Sequence, residues 1–148
     1  MSQGIPYGIF RMKRKRGTAV ILRHGKLLLV RERKNNHYSL PGGGHKKGEP
    51  WMCTALREIK EELNLDVRRA ERLHTLDFES THYSHKVSLL VTDQEPKVNS
   101  AEILDYVWWH PDSIVSVAPS VRDLWNRIVA AGLKDCCTNG DAHDRGCK

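Results

Sequence analysis

The sequence predicts an α/β domain in which a mixed sheet carries packed helices. Three observations predict it. Apolar runs rich in Val, Ile and Leu recur between polar turn residues, as strands do. Two longer stretches, 50–63 and 118–133, repeat their apolar residues at helical spacing. These elements alternate along a chain of 148 residues, the size of one ordinary domain with room for a core.

Residues 1–16 read as an extended arm that turns basic at "RMKRKR". Such a charge run is a solvated lead-in or a contact for phosphate or nucleic acid. In "TAVILRHGKLLLVRER" two β-rich runs flank His24 and Gly25, which predicts a hairpin. "NNHYSLPGGG" is a loop or short strand ending in turn residues. A helix follows from Pro50 to Leu63, and Pro50 suits its first turn because no helical partner is lost there. "ERLHTLDFES", "HKVSLLVTD" and "LDYVWWHP" predict further strands, the last stopped by Pro111. The final helix places Val121, Leu124, Trp125, Ile128 and Val129 at helical spacing, with Gly132 near its end. These elements place the core-bearing domain at 17–134. Residues 135–148 are polar, poor in core formers, and read as a tail.

Charged residues make up 28% of the chain and apolar residues 39%, which excludes a disordered chain. The net charge of +6 suits an anionic partner: a phosphorylated small molecule, nucleic acid or a membrane surface. No stretch approaches a membrane span or a signal peptide, so no membrane partner is expected. Cys53 falls in the first helix, while Cys136, Cys137 and Cys147 cluster near the end. That distribution is unlike the disulfide framework of a small secreted fold, so a reducing, cytoplasmic setting is expected.

The first helix poses the chemical question. Glu58, Glu61 and Glu62 crowd one patch, with Arg57 beside them. Like charges one turn apart destabilise a helix. At about 100° per residue, Met52, Leu56, Ile59 and Leu63 form a core-facing stripe, and the three acids fall largely elsewhere. Carboxylate oxygens are natural ligands for hard divalent cations, Mg²⁺ above all. A cation among them would turn repulsion into attraction.

The spacing extends beyond the helix. Gly43 is followed after five residues by Glu49, and after seven more by Arg57-Glu58-Ile59-Lys60-Glu61-Glu62-Leu63-Asn64-Leu65. This closely resembles the signature of the Nudix hydrolase family, with its MutT-like domain, matching eight of nine defined positions. The departure is Asn64, where the family usually has Gly. That position should close the helix in a left-handed conformation, and Asn tolerates it best after Gly. The resemblance covers about residues 17–133.

The resemblance implies a Nudix fold, an α/β/α sandwich with a mixed central sheet. It implies hydrolysis of a phosphoric anhydride in a nucleoside diphosphate-linked substrate, with Mg²⁺ or Mn²⁺ as cofactor. Glu58, Glu61, Glu62 and Glu49 become the candidate metal ligands, and the backbone at Gly43 can approach a metal or phosphate closely. Arg57 is expected to orient a carboxylate. The general base is expected to be Glu102, in "EILDYVWW", with Glu61 as the alternative. Tyr83, Trp108 and Arg31 are the candidate substrate-binding residues. Trp108 and Trp109 must face opposite sides of their strand, so at most one can serve a given pocket.

A nucleoside triphosphate, canonical or oxidised, is the expected substrate. Dinucleoside polyphosphates are the alternative, because Tyr83 lies near where their hydrolases carry a base-stacking Tyr. Ser80 stands about where ADP-ribose cleavers tend to have Pro. The basic arm also allows an RNA 5′ end, or a module that binds nucleotide or RNA without catalysis. Monomer and homodimer both remain open.

Overall fold

The computed structural model describes residues 13–135. Eight strands and two helices alternate: β1 (Arg14–Val20), β2 (Leu22–Arg23), β3 (Lys26–Glu32), β4 (Gly42–Gly44), α1 (Trp51–Leu63), β5 (Arg69–Arg72), β6 (Phe78–Glu79), β7 (Tyr83–Val91), β8 (Ile103–Trp109) and α2 (Pro119–Ala130). One sheet runs β4-β1-β7-β5, with β6 paired to β7. The other runs β2-β3-β8. Among the described strands of that sheet, β1 and β7 pair in parallel and the others antiparallel, so the sheet is mixed as expected.

Strand alternation divides the interior into two layers. Val20, Leu27, Leu29, Val87 and Leu89 meet Val121, Leu124, Trp125 and Ile128 of α2. Ala19, Ile21, Leu28, Val30 and Leu90 meet Ala55, Ile59 and Leu63 of α1. Met52 and Leu56 complete that stripe from its half-buried edge. Burying a side chain such as Ile59 or Leu63 contributes about 1.5–3 kcal/mol. The result is the α/β/α arrangement.

Close backbone approach holds α1 against the sheet. A Cβ at Gly17 would lie 2.7 Å from Thr54 Cβ, so glycine there lets the helix settle on β1. Asn64 closes α1 at φ 53° and ψ 38°, and its N–H donates to the Lys60 carbonyl. The expected left-handed cap is in place.

Several elements depart from the sequence reading. The expected hairpin around His24 and Gly25 joins only β2 to β3, while β1 belongs to the other sheet. Arg14, Lys15 and Arg16, expected in an arm, start β1; residues 1–12 lie outside the described residues. The stretch 71–80 is not one strand, because a 3-10 turn at His74–Leu76 interrupts it. There Asp77 accepts two hydrogen bonds from Arg72 and one from the Val87 N–H. Val129 faces out, 46% exposed, because α2 buries a narrower stripe than the spacing suggests. Cys53 is disulfide-bonded. The cysteine-containing tail after Asp135 lies outside the described residues. No helix among the described residues is long and apolar enough to cross a membrane.

Candidate active site

The acidic face of α1 opens into a cleft of about 610 Å³. Glu58 and Glu62 form one wall, and Gly42, Gly43 and Gly44 of β4 form the facing edge. Glu32 at the end of β3, Glu102 before β8, and Arg14, Lys15, Arg16, His45 and Tyr83 complete it. Gly43 stands directly against the Glu58 carboxylate, and any side chain at this position would occupy the same space.

Glu62 is 6% exposed, and its Oε1 is buried without a hydrogen-bond partner. Burial, reinforced by the charge of Glu58, pushes its carboxyl up to about 8. Burial also raises Glu58, against the pull of Arg57. A buried carboxylate oxygen without a donor is costly unless a cation compensates it. The donor set, hard oxygens beside a glycine backbone, fits a divalent ion such as Mg²⁺. Among the described residues no three His, Cys, Asp or Glu side chains already converge as a metal cage. Arg57 engages Glu49, Glu58 and Glu61, whereas Glu62 is not among its partners.

Arg57 is the hub of this wall. Its Nε and Nη2 donate to Glu49 at 2.8 and 3.0 Å. Its Nη1 donates to Glu58 at 2.9 Å and to Glu61 at 3.5 Å, and Nη2 also donates to the Gly44 carbonyl at 2.9 Å. Arg57, expected to orient a carboxylate, touches three of them. Glu49, expected as a ligand, is otherwise engaged: it also accepts from Thr54 Oγ1 at 2.8 Å and from the Lys46 N–H. The Arg57 hydrogen bonds hold its carboxyl down at about 2. Glu61 points outward, with its side chain 56% exposed, and does not line the cleft.

Glu102 reaches the cleft because the segment before it is docked on the end of α1. The Lys97 and Asn99 N–H groups donate to the Leu63 and Glu62 carbonyls at 2.9 and 3.0 Å, satisfying groups that a helix end leaves open. The same segment is clasped further back. Glu95 accepts from Trp108 Nε1 at 3.0 Å, Tyr106 Oη at 3.3 Å and Arg23 Nη1 at 2.9 Å. Trp108, expected to bind substrate, is therefore spent on this clasp, under the Arg23 guanidinium 4.5 Å from its ring centre. Trp109 is fully buried in the core. Arg31, also expected at the substrate, pairs with Asp105 on the neighbouring strand at 3.0 Å. Neither Trp108 nor Arg31 lines the cleft, whereas Tyr83 does.

Past Arg16, Glu32 and Tyr83 the cleft continues into a second one of about 980 Å³. Its walls include Ser80, His85, Ser120 and Asp123, at the β6–β7 turn and the start of α2. His85 is 3% exposed. Its Nδ1 meets Thr18 Oγ1 at 2.8 Å, its Nε2 meets Ser80 Oγ at 3.0 Å, and Phe78 stacks on it at 4.4 Å. Burial, helped by the Arg16 charge, lowers it to about 4, so the ring is neutral at pH 7. The sequence assigns no site role to Glu32, His85 or Asp123, and Arg16 enters it only within the basic run that could contact phosphate or nucleic acid. Arg16 was hidden in a basic run; counting strand alternation back from Thr18 and Val20 would have singled it out.

Comparison with known proteins agrees with this construction. The NUDIX domain family model matches residues 13–129. A MutT NUDIX hydrolase from Burkholderia pseudomallei is 25% identical with a TM-score of 0.68, over 80% of this chain and 99% of that one. An ADP-ribose pyrophosphatase from Streptococcus suis is 20% identical at a TM-score of 0.63, over 85% and 96%. A C. elegans Ap4A hydrolase is 22% identical at 0.61, over 81% and 99%. No curated protein matches the chain in sequence. With its signature helix, glycine edge and acidic cleft assembled on this fold, the chain belongs to the Nudix family and is a Nudix hydrolase acting on pyrophosphate bonds.

Proposed function

We propose that this hydrolase cleaves nucleoside diphosphate derivatives with Mg²⁺, or Mn²⁺ in its place, and that nucleoside triphosphates are its preferred substrates. The observation that carries this reading is the partnerless buried oxygen of Glu62, beside Glu58 and Gly43, at the head of a cleft that continues into a larger polar one. Water attacks one phosphorus, the anhydride P–O bond breaks, and nucleoside monophosphate and pyrophosphate leave. The bound ion supplies charge neutralisation to the phosphoryl oxygens.

The chain's own residues supply the rest. Glu58 and Glu62 would hold the ion beside the Gly43 backbone, and Glu61 would be a further ligand. Glu102, exposed at the rim, takes the proton of the attacking water. Arg57 fixes the position of Glu58, and Glu49 fixes Arg57. Tyr83 offers a ring to the substrate.

Dinucleoside polyphosphates are the second reading, favoured by the size of the outer cleft and by Tyr83 at its mouth. The deciding experiment offers purified protein and Mg²⁺ a panel of nucleoside triphosphates, 8-oxo-dGTP, diadenosine polyphosphates, ADP-ribose and triphosphate-ended RNA. Triphosphates should give the highest kcat/KM. A lead of tenfold or more for another class, about 1.4 kcal/mol in the transition state, overturns the substrate choice.

A further inference from the structure

Arg16 stands where the two clefts meet, lining both. Its guanidinium is already held in place. Nη2 donates to the Leu40 carbonyl at 3.2 Å, and the group lies 5.2 Å from the centre of the Tyr83 ring. Its Nε is buried with no hydrogen-bond partner. Among the described residues it forms no ion pair, unlike Arg57, Arg31 and Arg72, which all have carboxylate partners. Lys13, three residues earlier on the same wall, is paired with Glu79 at 3.5 Å.

A half-buried guanidinium with spare donors, near enough to Glu58 and Glu62 for its charge to reach them but in ion-pair contact with neither, is a prepared anion site. The backbone carbonyl and the aromatic ring restrict its motion without neutralising it. Ordering such a side chain in advance lowers the entropy lost when a ligand binds. Glu58 and Glu62 lie on one side of it, and the polar outer cleft on the other.

We propose that Arg16 grips the phosphate that joins the nucleoside to the anhydride, so that the substrate straddles it: nucleoside in the outer cleft, scissile bond over Glu58 and Glu62. This rests on the reading of the protein as a hydrolase of nucleoside diphosphate derivatives. Arg14 and Lys15 are exposed on the strand and add only diffuse charge. Arg16 supplies directed hydrogen bonds.

The test separates binding from catalysis. Wild type, Arg16→Ala and Arg16→Lys are titrated calorimetrically with α,β-methylene-ADP in the presence of EDTA, which removes the divalent ion. Circular dichroism confirms that the variants are folded; Arg16→Lys keeps the long stem and covers the case where Ala does not fold. Affinity should fall at least tenfold in Arg16→Ala, with partial recovery in Arg16→Lys. With Mg²⁺ and a hydrolysed substrate, KM should rise by the same factor. Equal affinity in wild type and the folded variants, including no measurable binding by any of them, overturns the assignment. If Arg16 served only to balance the acids, the Mg²⁺ dependence would move while metal-free binding stayed constant, which also overturns it. A wild type that binds the analogue through Arg16 yet hydrolyses no anhydride leaves this assignment standing and overturns the proposed function alone.

Discussion

Arg57 and Glu49 face each other through two hydrogen bonds, Nε to Oε2 at 2.8 Å and Nη2 to Oε1 at 3.0 Å. The pair ties the loop after the glycine edge to the middle of α1, so the carboxylates on the helix and the backbone at Gly43 form one rigid wall. Glu49 is linked to Glu58 through Arg57.

Glu49→Gln should therefore weaken the fold and the catalysis together. Loss of the charged hydrogen bonds should cost about 1–3 kcal/mol, and misplacement of Arg57 roughly 10- to 100-fold in kcat. Acid titration gives a second check. The Glu49 carboxyl lies at about 2 in the fold, below the ordinary carboxylate value, mainly through Arg57. Its stabilisation is complete above the unfolded value and is lost as pH falls through about 2. The gap in melting temperature between wild type and variant should shrink over that window.

Glu62→Gln should remove turnover without loosening the protein. Replacing a partnerless buried carboxylate by a neutral amide lowers the burial penalty. Melting temperature in EDTA should hold or rise, while kcat with Mg²⁺ falls by about two orders of magnitude. Glu61→Gln should lose a comparable factor even though its side chain is 56% exposed. Near-normal turnover in both variants would refute the metal assignment.

Asn64 should accept Gly and reject Val. Its φ of 53° is open to Gly and strained for a β-branched residue. Asn64→Gly should melt close to wild type, and Asn64→Val should lose about 1–3 kcal/mol. Equal melting of the two variants would show that the cap does not contribute.

His85 should make stability depend on pH in mildly acidic solution. Its folded value of about 4 lies below the ordinary 6.5, because burial resists the charged ring. The unfolded chain binds the proton first, so stability is complete above about 6.5 and declines as pH falls toward 4. The full term is roughly 3 kcal/mol. His85→Gln keeps hydrogen-bonding ends for Thr18 and Ser80 and cannot titrate. Its unfolding free energy should vary less between those two pH values than that of wild type.

The fold was legible where local chemistry and tertiary structure agree. The spacing around Glu58 and Ile59, Pro50 at the helix entrance and the left-handed Asn64 are all local signals, and each is in place. The partition of β1 and β3 into different sheets was not legible, because the pairing of β1 with β7 spans 69 residues of sequence. The site divides in the same way. Gly43, Glu58 and Glu62 share one motif and meet in one cleft, and Glu102 joins them across the fold. The surroundings of Trp108 were not legible, because a strand aromatic carries no mark of what covers it. Here the cover is Glu95 and Arg23, on segments 13 and 85 residues away in sequence. Arg16 and Glu32 gain their meaning only from the strand ends that bring them together.

The parallel register of β1 with β7 also sets a timetable for synthesis. Arg14 pairs with Tyr83 and Val20 with Leu89, so the first strand has no parallel partner until the ribosome has released residues 83–91. Until then α1 can rest on β1 through Gly17, but the sheet beneath it is open on that side. At about 5–20 residues per second, the chain spends several seconds with one edge of this apolar strand open to chaperones and to other nascent chains. Arg14, Lys15 and Arg16 lead that strand, and their charge discourages like copies from pairing edge to edge while it waits.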